Sequence, residues 1–200
     1  KSHVTRGREP IEYLKNRFQN VTNIEVDLTS VFETFKKIVP DGSDVDKLNL
    51  SLANTRARLR MTTLYYFAGL HSLLVAGTGN KIEDFGVGFY TKYGDGGVDL
   101  SPIADLMKSE VHLLGSYLKI PESILKASPT DGLFGDDRTD EDQLGASYAE
   151  LEWAMLENEA GKSSDDFSGR EKIVLDIYKR LNTINQHKMT AIPVCFIPNE

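Results

Sequence analysis

The sequence has little that would suit an oxidising compartment or a membrane. Its one cysteine, Cys195, cannot form a disulfide within the chain. No apolar run approaches the roughly 20 residues that a membrane-spanning helix needs. The opening residues, KSHV, contain neither an initiator Met nor the apolar segment of a secretory signal, so we expect further residues upstream of Lys1. These features favour a cytoplasmic location and no membrane partner.

Basic residues are also in the minority, which limits the possible partners. The formal net charge of −7 leaves no general positive field to attract a polyanion. We therefore expect no nucleic-acid partner, and any phosphate ligand must be bound by a few well-placed cations. Repeats and linkers rich in Pro or Ser are absent as well, so residues 1–200 are interpreted as a single domain.

The periodicity of apolar residues predicts two short strands among several helices. Residues 24–28 alternate between apolar and acidic side chains, and residues 72–77 are an apolar run ended by glycine, typical of a strand buried on both faces of a parallel sheet. Strands followed by long helices predict an α/β fold, a layered parallel sheet flanked by helices. Helices are predicted over residues 10–18, 30–39, 46–70, 109–118, 122–127, 147–157 and 168–186.

Several helix starts carry a capping signal. Ser30, Ser147 and Ser168 are each followed three residues later by Glu, and Thr139 precedes an acidic run. In the helix predicted over residues 46–70, the apolar residues cover more of the helix surface than a single stripe. We therefore expect that helix to be covered on two sides, by the sheet and by a second subunit.

Glycine is concentrated at the centre of the chain. Seven of the sixteen glycines fall between residues 77 and 97, a density that weakens helix and strand alike and suits close approach to a ligand. Lys92 and Lys108 are candidates for binding phosphates, Glu83 for binding magnesium and Asp99 for accepting from a ribose hydroxyl. A surface loop with solvated charges explains the same spacing equally well, so both interpretations stay open.

Separate motifs in consistent order strongly resemble ammonia-dependent NAD synthetases over roughly residues 45–190. The most specific is FYTKYGDGGVDL at residues 89–100. The others are ARLRM at residues 57–61, Gly77-Thr78, Glu83, Pro102, Lys108, PTDGL at residues 129–133, TDEDQLG at residues 139–145 and His187-Lys188.

This resemblance implies a reaction in two steps. The nicotinic acid carboxylate of deamido-NAD attacks the α-phosphate of ATP and pyrophosphate leaves; ammonia then displaces AMP from the adenylate. Positioning and neutralisation of phosphate charge supply most of such catalysis. The resemblance also implies an adenine-nucleotide α-hydrolase fold, which is Rossmann-like, and a homodimer.

The resemblance further assigns roles to single residues. It implies ATP contacts at Thr78, Lys108 and Thr130 and a Mg²⁺ ligand at Glu83. It implies contacts to deamido-NAD at Arg58, Lys92, Asp99, His187 and Lys188. It also implies that the acidic segment 136–142 closes over the site, which would exclude water from the adenylate.

Ordinary structural roles compete with these assignments. Lysines such as Lys108 are commonly solvated and threonines commonly cap helices, while a basic pair at a helix C-terminus suits the helix dipole. Arg56 and Arg60 must face away from Arg58, because two residues advance a helix by about 200°. We therefore expect Arg56 and Arg60 to be solvated or interfacial.

One part of the family pattern is missing. The Ser-Gly-Gly-x-Asp-Ser loop that binds the ATP pyrophosphate does not occur, so we expect these 200 residues alone to be inactive. Two alternatives remain open: another amidating ATP pyrophosphatase of the GMP synthetase kind, or a noncatalytic nucleotide-binding or dimerisation module. Free ammonia is the expected nitrogen donor, because Cys195 lies among apolar residues and between prolines, which favours an inert, packed thiol.

Overall fold

The computed structural model describes residues 3–127, 129–130, 132–133 and 139–198, and helices dominate it. None of the described helices combines the length and the apolar composition that crossing a bilayer requires. The α-helices are α1 (His3–Arg17), α2 (Thr29–Ile38), α3 (Val45–His71), α4 (Lys108–Tyr117), α5 (Glu122–Leu125), α6 (Asp140–Leu144), α7 (Tyr148–Glu159) and α8 (Gly169–Met189). A π-helix spans Ile82–Val87 and a 3-10 helix spans Ser164–Asp166.

The seven helices predicted from periodicity are confirmed, but only some of their predicted caps are. Ser147 accepts from the Glu150 amide and Thr139 accepts from the Asp142 amide. Ser30 lies inside α2, whose first amide, that of Thr29, donates instead to the Asp27 carboxylate at 2.8 Å. Ser168 makes no side-chain cap, since the left-handed backbone of Gly169 (φ 57°) separates it from the first turn.

The predicted sheet does not form among the described residues. Residues 24–28 have no regular secondary structure, and residues 72–77 contribute one parallel bridge, between Ala76 and Leu100. Leu73 and Leu74 are 64% and 70% exposed, so the expectation of a strand buried on both faces is wrong here. A strand needs neighbouring backbone to satisfy its amides and carbonyls, and the 99–100 segment pairs with only a short part of this one.

The core lies where α7, α8 and the π-helix meet. Ile82 and Val87 of the π-helix are fully buried against Leu151 of α7 and Leu175 of α8. Each such aliphatic side chain contributes about 1.5–3 kcal/mol when it is fully buried. This packing fixes the π-helix, which carries Glu83, to the two most extensively packed helices of the fold.

The long helix α3 packs against α2 through Arg56 and against the glycine-rich segment through Ala57, and several of its apolar side chains stay exposed. Small residues let the glycine-rich segment approach it: a Cβ at Gly94 would lie 2.9 Å from the Ala57 Cβ, so glycine is needed there. On the rest of α3, Leu50, Leu64 and Leu70 are 54–61% exposed. The expected sheet is not seen beside α3 among the described residues, and the expectation of a covering second subunit stays a prediction.

Two further expectations about single residues need correction. Arg56 is partly buried, with its guanidinium 4.1 Å from the centroid of the Phe32 ring and donating to the Leu133 carbonyl, so it is not simply solvated. Cys195 is exposed and not packed, because residues 190–198 run as an irregular tail in which Phe196 is 87% exposed.

One ion pair holds the start of α7 against α8. Arg170 donates to Glu150 through Nε at 2.6 Å and Nη2 at 2.8 Å, and Glu150 also accepts from the Ser147 amide. These hydrogen bonds lower the pKa of Glu150 to about 2. A lowered folded-state pKa stabilises the fold above the unfolded value of 4.5, and this contribution is lost as pH falls from about 4.5 to 2.

We predict that Glu150→Gln lowers the free energy of unfolding at pH 7 by about 1 kcal/mol, a modest figure because solvent screens the exposed Arg170. The unfolding midpoint should fall by about 2–4 °C. Thermal unfolding from pH 7 to pH 2 checks this, with Glu157→Gln near the other end of α7 as the control. A difference from wild type that does not shrink toward pH 2 would contradict the assignment.

Candidate active site

The glycine-rich centre contains a π-helix where an irregular loop was expected. Asn80, 1% exposed, organises its start: the Asn80 Oδ1 accepts from the amides of Ile82 and Glu83, and the Asn80 amide donates to Glu83 Oε2 at 3.2 Å. A Cβ at Gly79 would lie 2.1 Å from the Asp84 carboxylate, so a larger residue there would have to displace the Asp84 side chain. Single π turns are frequent at functional sites. Asn80 was missed from sequence, although an Asn beside glycine is a common turn signal.

Glu83 meets two other side chains on the inner side of this turn. Lys108, the first residue of α4, places its Nζ 3.0 Å from Glu83 Oε1, and both side chains are largely buried. The Tyr148 hydroxyl donates to the same oxygen at 2.6 Å. The ammonium of Lys108 also lies 4.6 Å from the centroid of the Tyr148 ring, a cation–π contact. Burial, with Glu83 adding to it, raises the pKa of Tyr148, which keeps its hydroxyl protonated as a donor.

A cavity of about 300 Å³ opens beside Lys108. Thr139, Glu141 and Tyr148 line it, together with Pro129, the neighbour of Thr130. Thr130 is partly exposed near this cavity, and Thr78 is exposed beyond the Ala76–Leu100 bridge. Within the described part of the chain, no hydrogen bond joins either threonine to Lys108, and neither threonine lines the cavity, so their contacts to ATP stay a prediction.

The acidic segment after this cavity is only partly described. Residues 136–138 lie outside the described residues. Asp140 is 8% exposed and its Oδ2 is 3.5 Å from the Tyr148 hydroxyl, while Glu141 accepts from the Tyr148 amide at 2.9 Å. The interpretation of a solvated acidic loop is therefore wrong for Asp140, which is buried near Tyr148, whereas Glu141 is exposed and accepts from the Tyr148 amide.

Four of the predicted dinucleotide contacts lie in one connected group. Arg58 Nε donates to the Lys92 carbonyl at 3.3 Å, and Lys92 Nζ donates to the His187 carbonyl. Lys188 Nζ donates to the carbonyls of Gly88 and Tyr90, each at 2.8 Å. Lys188 therefore anchors the neighbouring loop, a role that the helix dipole alone does not explain.

Lys188 is the last of three polar residues on one face of α8. Asn182 donates to the Gly86 carbonyl at 2.7 Å and Asn185 to the Val87 carbonyl at 2.8 Å. Spacings of three residues place the three side chains on one face of the helix. This row satisfies successive carbonyls at and beyond the end of the π-helix and so fixes the path of residues 86–90.

Asp99 lies apart from that group. Its Oδ2 accepts from the Val75 amide at 2.8 Å and its Oδ1 accepts from the Tyr65 hydroxyl at 3.0 Å. Asp99 thus joins α3 to the bridged segment. Each carboxylate oxygen keeps further lone-pair capacity for a ligand hydroxyl.

Arg56 and Arg60 face away from Arg58, as predicted. Both line a larger cavity of about 860 Å³ between α1, α2 and α3, whereas Arg58 contacts the Lys92 carbonyl. None of the predicted site residues lines this larger cavity.

The residues fit Mg²⁺ only as a site shared with substrate. Within the described ranges, no group of three or more His, Cys, Asp or Glu side chains is arranged to hold a metal ion. Mg²⁺ commonly takes one or two carboxylates together with substrate phosphates and water, and Glu83 fits that arrangement as a single protein ligand. Burial, with Glu83 and Asp95 adding to it, raises the pKa of the adjacent Asp84 to about 6.

Comparison with known proteins identifies the family. The family model "NAD synthase" matches residues 8–191. The chain is 47% identical over 135 residues to the NH(3)-dependent NAD(+) synthetase of Picrophilus torridus, covering 68% of this chain and 51% of that protein. It is 37% identical over 169 residues to the enzyme of the same name from Carboxydothermus hydrogenoformans, covering 84% of this chain and 65% of that protein.

Solved structures agree with this comparison. The chain is similar to NMN synthetase from Francisella tularensis, with a TM-score of 0.74, 27% identity and coverage of 97% of this chain and 73% of that one. It is similar to NH3-dependent NAD synthetase from Campylobacter jejuni, with a TM-score of 0.62, 26% identity and coverage of 86% and 64%. The chain spans 65% or less of the two curated relatives described above. Because the family model covers nearly the whole sequence, the chain belongs to the NAD synthase family.

Proposed function

We propose that the protein amidates deamido-NAD with ammonia, using ATP and releasing AMP and pyrophosphate through an adenylated intermediate. The observation that carries this proposal is the Lys108–Glu83 pair at the cavity beside α4, in a chain whose relatives are named NH(3)-dependent NAD(+) synthetases. A buried cation paired with a carboxylate is suited to receive a phosphate and to release the carboxylate in exchange.

In the first step, a carboxylate oxygen of deamido-NAD attacks the α-phosphorus of ATP, and the bond to the β-phosphate breaks. Lys108 offers its charge to the phosphates, while the hydroxyls of Thr78 and Thr130 are donors for polar groups of the nucleotide. Mg²⁺, bound by Glu83 and phosphate oxygens, would neutralise charge on the leaving pyrophosphate.

In the second step, ammonia attacks the activated acyl carbon, and the carbon–oxygen bond to AMP breaks. The activated carbon is equally open to water, so exclusion of water decides the yield of amide. Thr139 and Glu141 line the cavity at the start of α6, in position to close it on the Lys108 side.

Deamido-NAD is assigned to the basic group around the end of α8. The side chains of Arg58, Lys92 and Lys188 bring three cations to one region, where each donates to a backbone carbonyl. His187 is the residue before Lys188, and its carbonyl accepts from Lys92. Such a group suits the phosphates of a dinucleotide. Asp99 is assigned to a ribose hydroxyl.

We further infer a single domain with the layered parallel sheet of the adenine-nucleotide α-hydrolase type, working as a cytoplasmic homodimer. The parallel bridge at Ala76 and the similarity to two solved synthetases support the fold. The exposed leucines of α3, at positions 50, 64 and 70, support a covering subunit.

A second candidate substrate is the corresponding mononucleotide. The similarity to NMN synthetase, with a TM-score of 0.74, favours testing it. The higher sequence identity to proteins named NAD(+) synthetases, 37–47% against 27%, favours the dinucleotide.

In the intact protein, we predict that Lys108→Met reduces pyrophosphate release from ATP and deamido-NAD by at least about 100-fold, since a charge that faces phosphate in a buried site is lost. The melting curve should stay close to that of the wild type. Lys81→Met is the matched control, because Lys81 lies beside the same π-helix but pairs with the exposed Asp105. Equal turnover in the two variants would show that Lys108 pairs with Glu83 without acting on ATP.

Arg58→Ala should weaken deamido-NAD binding by about 10-fold and leave ATP binding within about twofold, because a charge-assisted hydrogen bond is worth about 1.5–3 kcal/mol. Calorimetric titration with each ligand measures this. Arg60→Ala, on the same helix but facing the other cavity, should change neither affinity. Loss of both affinities in Arg58→Ala would argue for general disruption and against a dinucleotide contact.

Ammonium should support NAD formation and glutamine should not. Use of glutamine requires a thiol nucleophile with neighbouring acid and base groups, and Cys195 lies in an irregular tail away from any helix N-terminus. Assays of NAD with each donor, and with the mononucleotide in place of deamido-NAD, decide both donor and substrate. Glutamine-supported turnover equal to that with ammonium, without added glutaminase, would refute the prediction.

A further inference from the structure

Tyr148 contacts both charged groups of the candidate ATP site, although the reaction as proposed does not use it. It is 6% exposed and is the first residue of α7, immediately after the Ser147 cap. Its hydroxyl donates to Glu83 Oε1 at 2.6 Å, and its ring lies 4.6 Å from the Lys108 ammonium. Its backbone amide donates to Glu141 at 2.9 Å, so the residue is fixed at both ends.

The geometry places two donors on one carboxylate oxygen. Lys108 Nζ and the Tyr148 hydroxyl both meet Glu83 Oε1, at 3.0 and 2.6 Å. For Lys108 to bind a phosphate, its ammonium must leave a carboxylate that attracts it strongly in a site of low polarity. A neutral hydroxyl that already satisfies Glu83 reduces the cost of that departure, and an aromatic face holds the ammonium nearby without adding negative charge.

We propose that Tyr148 is a positioning residue that releases Lys108 from Glu83 to the phosphates of ATP. The hydroxyl keeps Glu83 hydrogen-bonded when the ammonium leaves, and the ring holds Lys108 at the cavity. This inference rests on the proposed function, because it takes ATP as the ligand of Lys108.

A double-mutant cycle on ATP affinity tests the role of the hydroxyl. Tyr148→Phe keeps the ring and removes only the hydroxyl, so binding of ATP with Mg²⁺, measured by calorimetry without deamido-NAD, should weaken about 10-fold. In the Glu83→Gln background, where the competing charge is gone, the same substitution should change the affinity by less than about twofold. A side chain with only a packing role would give the same loss in both backgrounds.

Two further variants separate the ring from general packing. Tyr148→Leu removes the ring as well, and should weaken ATP binding further in both backgrounds because the cation–π contact with Lys108 does not depend on Glu83. Tyr178→Phe is the control: Tyr178 is 2% exposed in the same core and faces Gly86 of the π-helix, and its change should leave ATP affinity within about twofold.

The outcomes distinguish this inference from the function on which it rests. Unchanged ATP affinity in Tyr148→Phe, or an equal loss with and without the Glu83 charge, overturns the role of Tyr148 while the proposed function stands. Absence of ATP binding by the intact, unsubstituted protein overturns the proposed function itself. If Tyr148→Leu does not fold, the cycle with Tyr148→Phe decides the matter alone.

Discussion

The packing of a six-residue π-helix against α7 and α8 is the constraint from which the candidate site follows. Ile82 and Val87 are fully buried at its two ends, so the polar residues between them have little freedom. Glu83 is thereby held toward Lys108 and Tyr148. The Lys108 ammonium and the Glu83 carboxylate face each other in a partly buried site, where a phosphate can take the place of the carboxylate as the partner of the lysine.

The same helix that buries the π-helix also fixes the loop after it. Asn182, Asn185 and Lys188 donate to the carbonyls of residues 86–90, which would otherwise lack helical partners. Lys188, the last residue of this row, belongs to the group assigned to deamido-NAD. One rigid element therefore sets the positions of both predicted subsites, which is the condition for holding two substrates in reacting geometry.

Much of the helical architecture could be predicted from sequence, because apolar periodicity and capping residues are local signals. Ser147 with Glu150 shows this well, while Ser30 shows the limit: α2 begins one residue before the serine, and Asp27 accepts from its first amide, that of Thr29. Whether residues 72–77 form a buried strand could not be predicted from these residues alone. A strand is buried by pairing with segments that lie far away in the sequence. Leu73 and Leu74 are accordingly exposed in the described structure.

For the candidate site, the residue types and their order were enough to indicate the family. They did not predict which of these side chains contact one another. The π-helix was not predicted because the glycines of this region also suit turns. Tyr148 was not singled out because it follows a capping serine, and a helix start explains that position without any ligand. The central claim is that Lys108 and Glu83 belong to a site that adenylates deamido-NAD before ammonia arrives. Exchange of labelled pyrophosphate into ATP by the intact protein tests it most directly: the account predicts exchange without ammonia that depends on deamido-NAD, and absence of exchange under those conditions would contradict it.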